Sequence, residues 1–230
     1  MRTAARRRPP APPKSGLGRH RRPQQQRSVA TQSNLLDATV ACLVQQGYAG
    51  LTTAAISRRA GVSQGALFLH YPTKADLIVA AVEHVFARLG RRYRDLLAST
   101  RRGRHPIGGA VRALWRVLTL PEYLATNEVY LAARTHPDLQ NAIRPMAVRH
   151  QEYLLRSARE LHGNDAAAGT AFEAVFDTII LAMQAAAIDS VALHDRRIDA
   201  RRLTYFESLL RRELARRTGH RHTRKGYAHE

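Results

Sequence analysis

A chain of 230 residues with a formal net charge of +19 is long enough to bury a core without staples, and its single cysteine, Cys42, excludes an internal disulfide and fits a reducing compartment. Arginines at the N-terminus with no apolar segment behind them argue against a signal peptide. The most apolar run, "VFDTIILAMQAAAI", is interrupted by Asp177 and Gln184, so the chain is expected to be soluble and cytoplasmic, with no membrane partner.

Residues 1–26 hold eight Lys/Arg and no acid, and residues 216–230 hold five against one acid. Such ends attract polyanions, nucleic acid above all, or else only keep a protein in solution. The stretch 1–26 combines proline and arginine with almost no apolar residues and is expected to be a disordered basic arm. From about Ser28 the pattern turns helical, with Leu36, Val40, Leu43 and Val44 on one face and Gly47 as a closing cap. In "TTAAISRRA", Thr52 or Thr53 can cap a two-turn helix that Gly61 ends. Ser63 can cap a second short helix, "QGALFLHY", which Pro72 stops. Thr73 and Asp76 approximate a capping box before a long helix whose stripe includes Leu77, Ile78, Val82, Val85, Leu89 and Tyr93.

Further helices are expected at about 106–118, at 121–135 with Pro121 in the first turn, and at 137–162 with a kink at Pro145 and an end at Gly163. Asp165 can cap a helix to Leu193, and Asp199 one to about Arg217. No segment shows sustained two-residue alternation. The expected fold is all-α: residues 27–74 form a compact three-helix unit, with a candidate helix-turn-helix at about 51–70. Residues 75–217 form a larger helical bundle, and 218–230 a disordered basic tail.

Residues 61–65, "GVSQG", match the G-x-S-x-G pattern of a hydrolase elbow. An elbow needs an apolar central strand before the first glycine, and here stand Ser57, Arg58, Arg59 and Ala60; burying either arginine in a sheet would be expensive. A helix-turn-helix needs two short helices, a tight glycine turn and a small-residue contact, for which Ala60, Val62 and Leu67 serve. Gln64, Ala66, Leu69 and His70 can then face outward, where glutamine suits adenine and alanine a thymine methyl. Ser63 becomes a cap, and no catalytic residue is expected.

The stretch "NLLDATVACLVQQGYAGLTTAAISRRAGVSQGALFLHYPTKADLI" closely resembles the DNA-binding domain of TetR-family bacterial transcriptional regulators, over about residues 28–80. The resemblance implies that Thr53 starts a helix near phosphate, that Gln64, Gly65 and Ala66 approach base edges, and that Phe68, His70 and Lys74 lie along the operator backbone. Phe68 stands where the family usually has Tyr, so one hydroxyl is missing. Ser57 replaces a common Ala.

A two-turn reading helix covers too few base pairs for a unique site, so a homodimer on a palindromic double-stranded DNA operator is expected. The apolar residues of helix 165–193 (Phe172, Val175, Phe176, Ile179, Ile180, Met183) and of helix 199–217 (Leu203, Phe206, Leu209, Leu210, Leu214) offer its surface, or else are monomer core. The resemblance also implies an apolar pocket for a small apolar or amphipathic effector that relieves repression. Its pointers are the polar residues Tyr123, Asn127, Glu128, Tyr130, Asp177 and Gln184 within apolar surroundings. No cofactor or metal is expected; His220, His222 and His229 lie in the tail without fixed geometry. The rival functions are nonspecific nucleic-acid compaction through the basic ends and, more remotely, serine hydrolysis.

Overall fold

The structure, a computed structural model, describes residues 21–100, 106–162 and 169–225, and among them are nine helices and no strand. They are α1 (Arg21–Gly50), α2 (Thr53–Ala60), α3 (Gln64–His70), α4 (Lys74–Thr100), α5 (Pro106–Leu118), α6 (Pro121–Ala133), α7 (Pro137–His162), α8 (Gly169–Leu193) and α9 (Arg196–Lys225). Because α1 starts at Arg21 and α9 runs to Lys225, residues 21–26 and 218–225 are helical where arm and tail were expected. Residues 1–20, Gly163, Asp165 and His229 lie outside the described residues, as do the side chains of Phe172, Leu214, His220 and His222.

The short helices are set by their caps. Thr52 Oγ1 accepts from Ala55 N–H at 3.1 Å, and Gly61, with φ 69°, closes α2 in the left-handed region. Ser63 Oγ accepts from Ala66 N–H at 3.1 Å to start α3, and Tyr71 is extended ahead of Pro72. Thr73 and Asp76 exchange a reciprocal box: Thr73 N–H donates to Asp76 Oδ2 at 3.1 Å and Asp76 N–H to Thr73 Oγ1 at 3.0 Å. Pro121 sits in the first turn of α6, and Pro145 lies inside α7 without ending it. The cap of α9 is Asp195, whose Oδ1 accepts from Arg197 N–H at 2.8 Å; Asp199, expected in that role, instead lies inside the first turn, beside Arg202.

Two cores follow. The first joins the N-terminal helices to α6 and α7: Leu35, Ile56, Leu67 and Leu77 pack with Val129 and Ile143. The second, formed by α4, α5, α8 and α9, contains Val85, Leu89, Val111, Ile179, Met183 and Phe206. Within α1 the inward face is Leu35, Ala38 and Cys42 with Val40 and Leu43, whereas Val44 is 40% exposed. Leu36 packs against both cores, so of the face read from the sequence only Val44 falls outside. Across the surface, Arg88 reaches Asp37 of α1 and Glu122 of α6, tying both to α4; exposed pairs of this kind add little stability.

Ser57 is buried, and its hydroxyl has no hydrogen-bond partner among the described residues. An orphaned buried hydroxyl in a helix interior is unfavourable against alanine on both solvation and propensity. Ser57→Ala is expected to stabilise the protein by about 1 kcal/mol in urea unfolding; a destabilised variant would show that the hydroxyl is satisfied in solution.

Candidate nucleic-acid interface

The segment before Gly61 is α2, with Arg58 and Arg59 exposed, and Ser63 spends its hydroxyl on the cap of α3. The strand that a hydrolase elbow requires is absent at this position. Instead α2 and α3 form a helix-turn-helix, clamped by buried Ile56 and Leu67, with Ala60 and Val62 packed against them. Gln64 and Gly65 are exposed at the start of α3, Ala66 and His70 are half-buried, and Phe68 and Leu69 are 42% and 83% exposed. Single exposed apolar residues are ordinary, but Leu69 and Phe68 side by side on a two-turn helix form a face that asks for a covering surface. Thr53 begins α2, half-buried, directly after the capping Thr52.

Lys74, at the start of α4, is half-buried, with Nζ held 5.3 Å from the centre of the Tyr48 ring, and burial lowers its pKa. Tyr48 in turn meets the ring of His136 edge-on at 5.4 Å. The backbone at Gly47 has φ 67° and ψ 178°, and the next N–H, that of Tyr48, donates to Glu128 Oε2 at 2.9 Å. Glu128 therefore faces the DNA-binding head rather than an apolar pocket.

The other half of the molecule encloses a cavity of about 530 Å³ bounded by α4 to α9, within the range of small-molecule sites. Of the side chains expected to mark such a pocket, Tyr123 and Gln184 line it. Burial raises the Tyr123 pKa. Asn127, Tyr130 and Asp177 do not line it. Asn127 donates to its own helix at Tyr123 O, 3.2 Å away, Tyr130 is 38% exposed, and Asp177 accepts from Gln151 of α7. A polar residue flanked in sequence by apolar ones can leave a helix on any side, and these three leave away from the cavity.

Sequence reasoning missed the other polar groups. Tyr93, read as part of an apolar stripe, is in the wall, its pKa pushed up to about 12 by burial. His150 is stacked on Phe86 with ring centres 3.8 Å apart, and burial pushes its pKa down to about 4, so it is neutral at physiological pH. Tyr153 follows three residues later on the same face of α7. The spacing of His150 and Tyr153 with Leu154 and Ser157 was the available signal. Among the described residues no group of three or more His, Cys, Asp or Glu could hold a metal ion.

Helix α8 departs from the reading of its sequence. Ala174–Leu193 is long and apolar enough, by length and composition, to cross a membrane despite Asp177 and Gln184. Ile179, Ile180 and Met183 are buried, and Val175 packs against the same core. Leu203, Phe206, Leu209 and Leu210 of α9 likewise belong to that core. Of the residues offered for a dimer surface or a monomer core, these eight thus pack in the monomer, while Leu181, Ala185 and Ile188 form an exposed apolar stripe on the opposite face of α8.

Residues 35–81 match the model of the bacterial regulatory proteins of the tetR family. An uncharacterized HTH-type transcriptional regulator of Mycobacterium tuberculosis is 27% identical over 189 residues, covering 82% of this chain and 97% of the relative. The HTH-type transcriptional regulator CymR of Pseudomonas putida is 40% identical over 78 residues, 34% of this chain and 38% of its own length. Among solved structures, the multidrug binding protein EbrR complexed with malachite green is 26% identical, with a TM-score of 0.53 over 79% of this chain and 96% of that one. A putative TetR-family regulator from Mesorhizobium loti, 18% identical, has a TM-score of 0.60 over 82% of this chain and 97% of its own.

Proposed function

We propose that the chain is a helix-turn-helix transcriptional regulator of the TetR family, and more specifically a homodimeric cytoplasmic repressor whose operator binding is relieved by a small molecule held in the interior cavity. One observation carries the reading: three of the six helices that wall the cavity, α4, α6 and α7, also hold the reading head. α4 begins at Lys74 beside α3 and carries Phe86, Leu89 and Tyr93 into the wall. α6 has Tyr123 at the cavity and Glu128 on the Tyr48 N–H. α7 places Leu139 and Ile143 in the head's core and His150 at the cavity. A ligand that prefers one spacing of these helices would move the head, and tenfold relief of binding requires only about 1.4 kcal/mol of differential affinity. The complexes of EbrR with imidazole and with malachite green support small-molecule binding by this fold.

In this reading Gln64 and Ala66 reach base edges, Gly65 lets the backbone lie close, Thr53 and His70 touch phosphate, and Phe68 and Leu69 cover the sugar-phosphate wall. Lys74 supplies charge from the start of α4. Footprinting upstream of the protein's own and adjacent genes, with excess random DNA at physiological salt, tests it: a protected palindrome supports the reading, and binding that random DNA removes would point to nonspecific compaction. Gln64→Ala is expected to lower operator affinity by about 1–3 kcal/mol while leaving random-sequence binding unchanged. Lys74→Ala should weaken both alike. Equal losses on both DNAs for Gln64→Ala would remove that residue from base reading.

A further inference from the structure

The interior cavity has a neighbour. On the outer side of α4 and α7 lies a groove of about 380 Å³, and Phe86, Arg94, His150 and Tyr153 line both spaces. The partition between them is thin and aromatic. Phe86 and His150 stack at 3.8 Å with planes 13° apart, and His150 and Tyr153 lie 6.5 Å apart at 24°. The Phe86–His150 stack is in contact and closes that part of the wall, so the two spaces adjoin at Arg94 and Tyr153, whose polar ends pack against the side-chain-free Gly90.

Charge is distributed to one side of this partition. Arg94 is the one charged residue among the described cavity lining, where the remaining surface is apolar or carries hydroxyl, amide and neutral imidazole groups. Its guanidinium donates to the Tyr153 hydroxyl, which fixes its direction. In the groove, Arg91 joins it, and neither arginine has an ion pair among the described residues. The single acid there, Glu83, is engaged by Arg149 at 2.5 Å. A cationic ligand would meet no free counter-charge along this path. An anion would meet two guanidinium groups, planar donors suited to carboxylate and phosphate.

We propose that the cavity and the groove form one site for an amphiphile with an apolar body and an anionic head, the body inside the bundle and the head between α4 and α7 on Arg94 and Arg91. The assignment rests on the reading of the cavity as the effector site and specifies its chemistry. It also places the ligand across the two helices that carry the reading head, so that seating the head of the amphiphile acts on their separation directly.

Three probes with one carbon chain and different heads test this: decanoate, decanol and decyltrimethylammonium, titrated calorimetrically below micelle formation into the full-length protein. Decanoate is expected to bind about tenfold or more tighter than decanol, with the ammonium weakest. Arg94→Gln, a change at an exposed side chain, should bring decanoate to the level of decanol and leave decanol unchanged, and Arg91→Gln should do so in part. Ammonium binding equal to decanoate, or an Arg94→Gln protein that still prefers decanoate, would overturn the head-group assignment while decanol binding upheld the cavity reading. Failure of all three probes to bind would overturn both.

Discussion

Replacing Gly47 with alanine is expected to destabilise the protein by about 2–3 kcal/mol, seen as an earlier urea midpoint with an unchanged slope. The backbone there, at φ 67° and ψ 178°, occupies a region that side-chain-bearing residues essentially never enter. A Cβ at this position would also stand 2.6 Å from Glu128 Oε2, displacing the carboxylate that accepts from Tyr48 N–H. Glu128→Ala alone removes only an exposed acceptor and should cost about 1 kcal/mol or less. Added to Gly47→Ala it should cost nothing more, because the contact is already gone. A Gly47→Ala protein as stable as the parent would mean that the turn relaxes out of its strained conformation.

For the proposed homodimer, Ile188→Glu is expected to give a folded monomer with about a hundredfold or greater loss in operator affinity, since two half-sites would no longer be read by one linked molecule. Ile188 is 47% exposed and shares its stripe with Leu181, 55% exposed, so the substitution leaves the buried side of α8 intact. Unpaired apolar faces of this kind mark association surfaces, and α8 offers small residues at Ala185 and Ala192 for close helix approach. Sedimentation equilibrium with circular dichroism separates the outcomes. A stable dimer carrying Ile188→Glu would place the association surface elsewhere.

The DNA-binding head was legible in the sequence because its structure is local. Thr52, Ser63 and the Thr73–Asp76 pair act within three residues of their partners, and Gly61 needs only its own backbone. The cavity was legible only in part because its wall is assembled from six helices. Tyr123 and Gln184 stood out as polar among apolar neighbours; Tyr93 and His150 did not, since the first sat in a periodic stripe and the second on a helix rich in charge. The sides of α8 could not be assigned from composition, for an all-round apolar helix hides which face its own chain covers. Asp195, rather than Asp199, starts α9 because His194, at φ 48°, turns the chain four residues earlier than the sequence pattern suggests.

The first core has a bearing on modularity. Leu35, Ile56 and Leu67 of the head are packed in one cluster with Val129 of α6 and Leu139, Ile143 and Met146 of α7. The seam between the DNA-binding head and the bundle that holds the cavity therefore runs across the chain's middle in space, although it falls near Lys74 along the sequence. A chimera spliced at that point would set a foreign head against this protein's α6 and α7, and would have to exchange those facing positions together with the head to inherit either a stable fold or a working response.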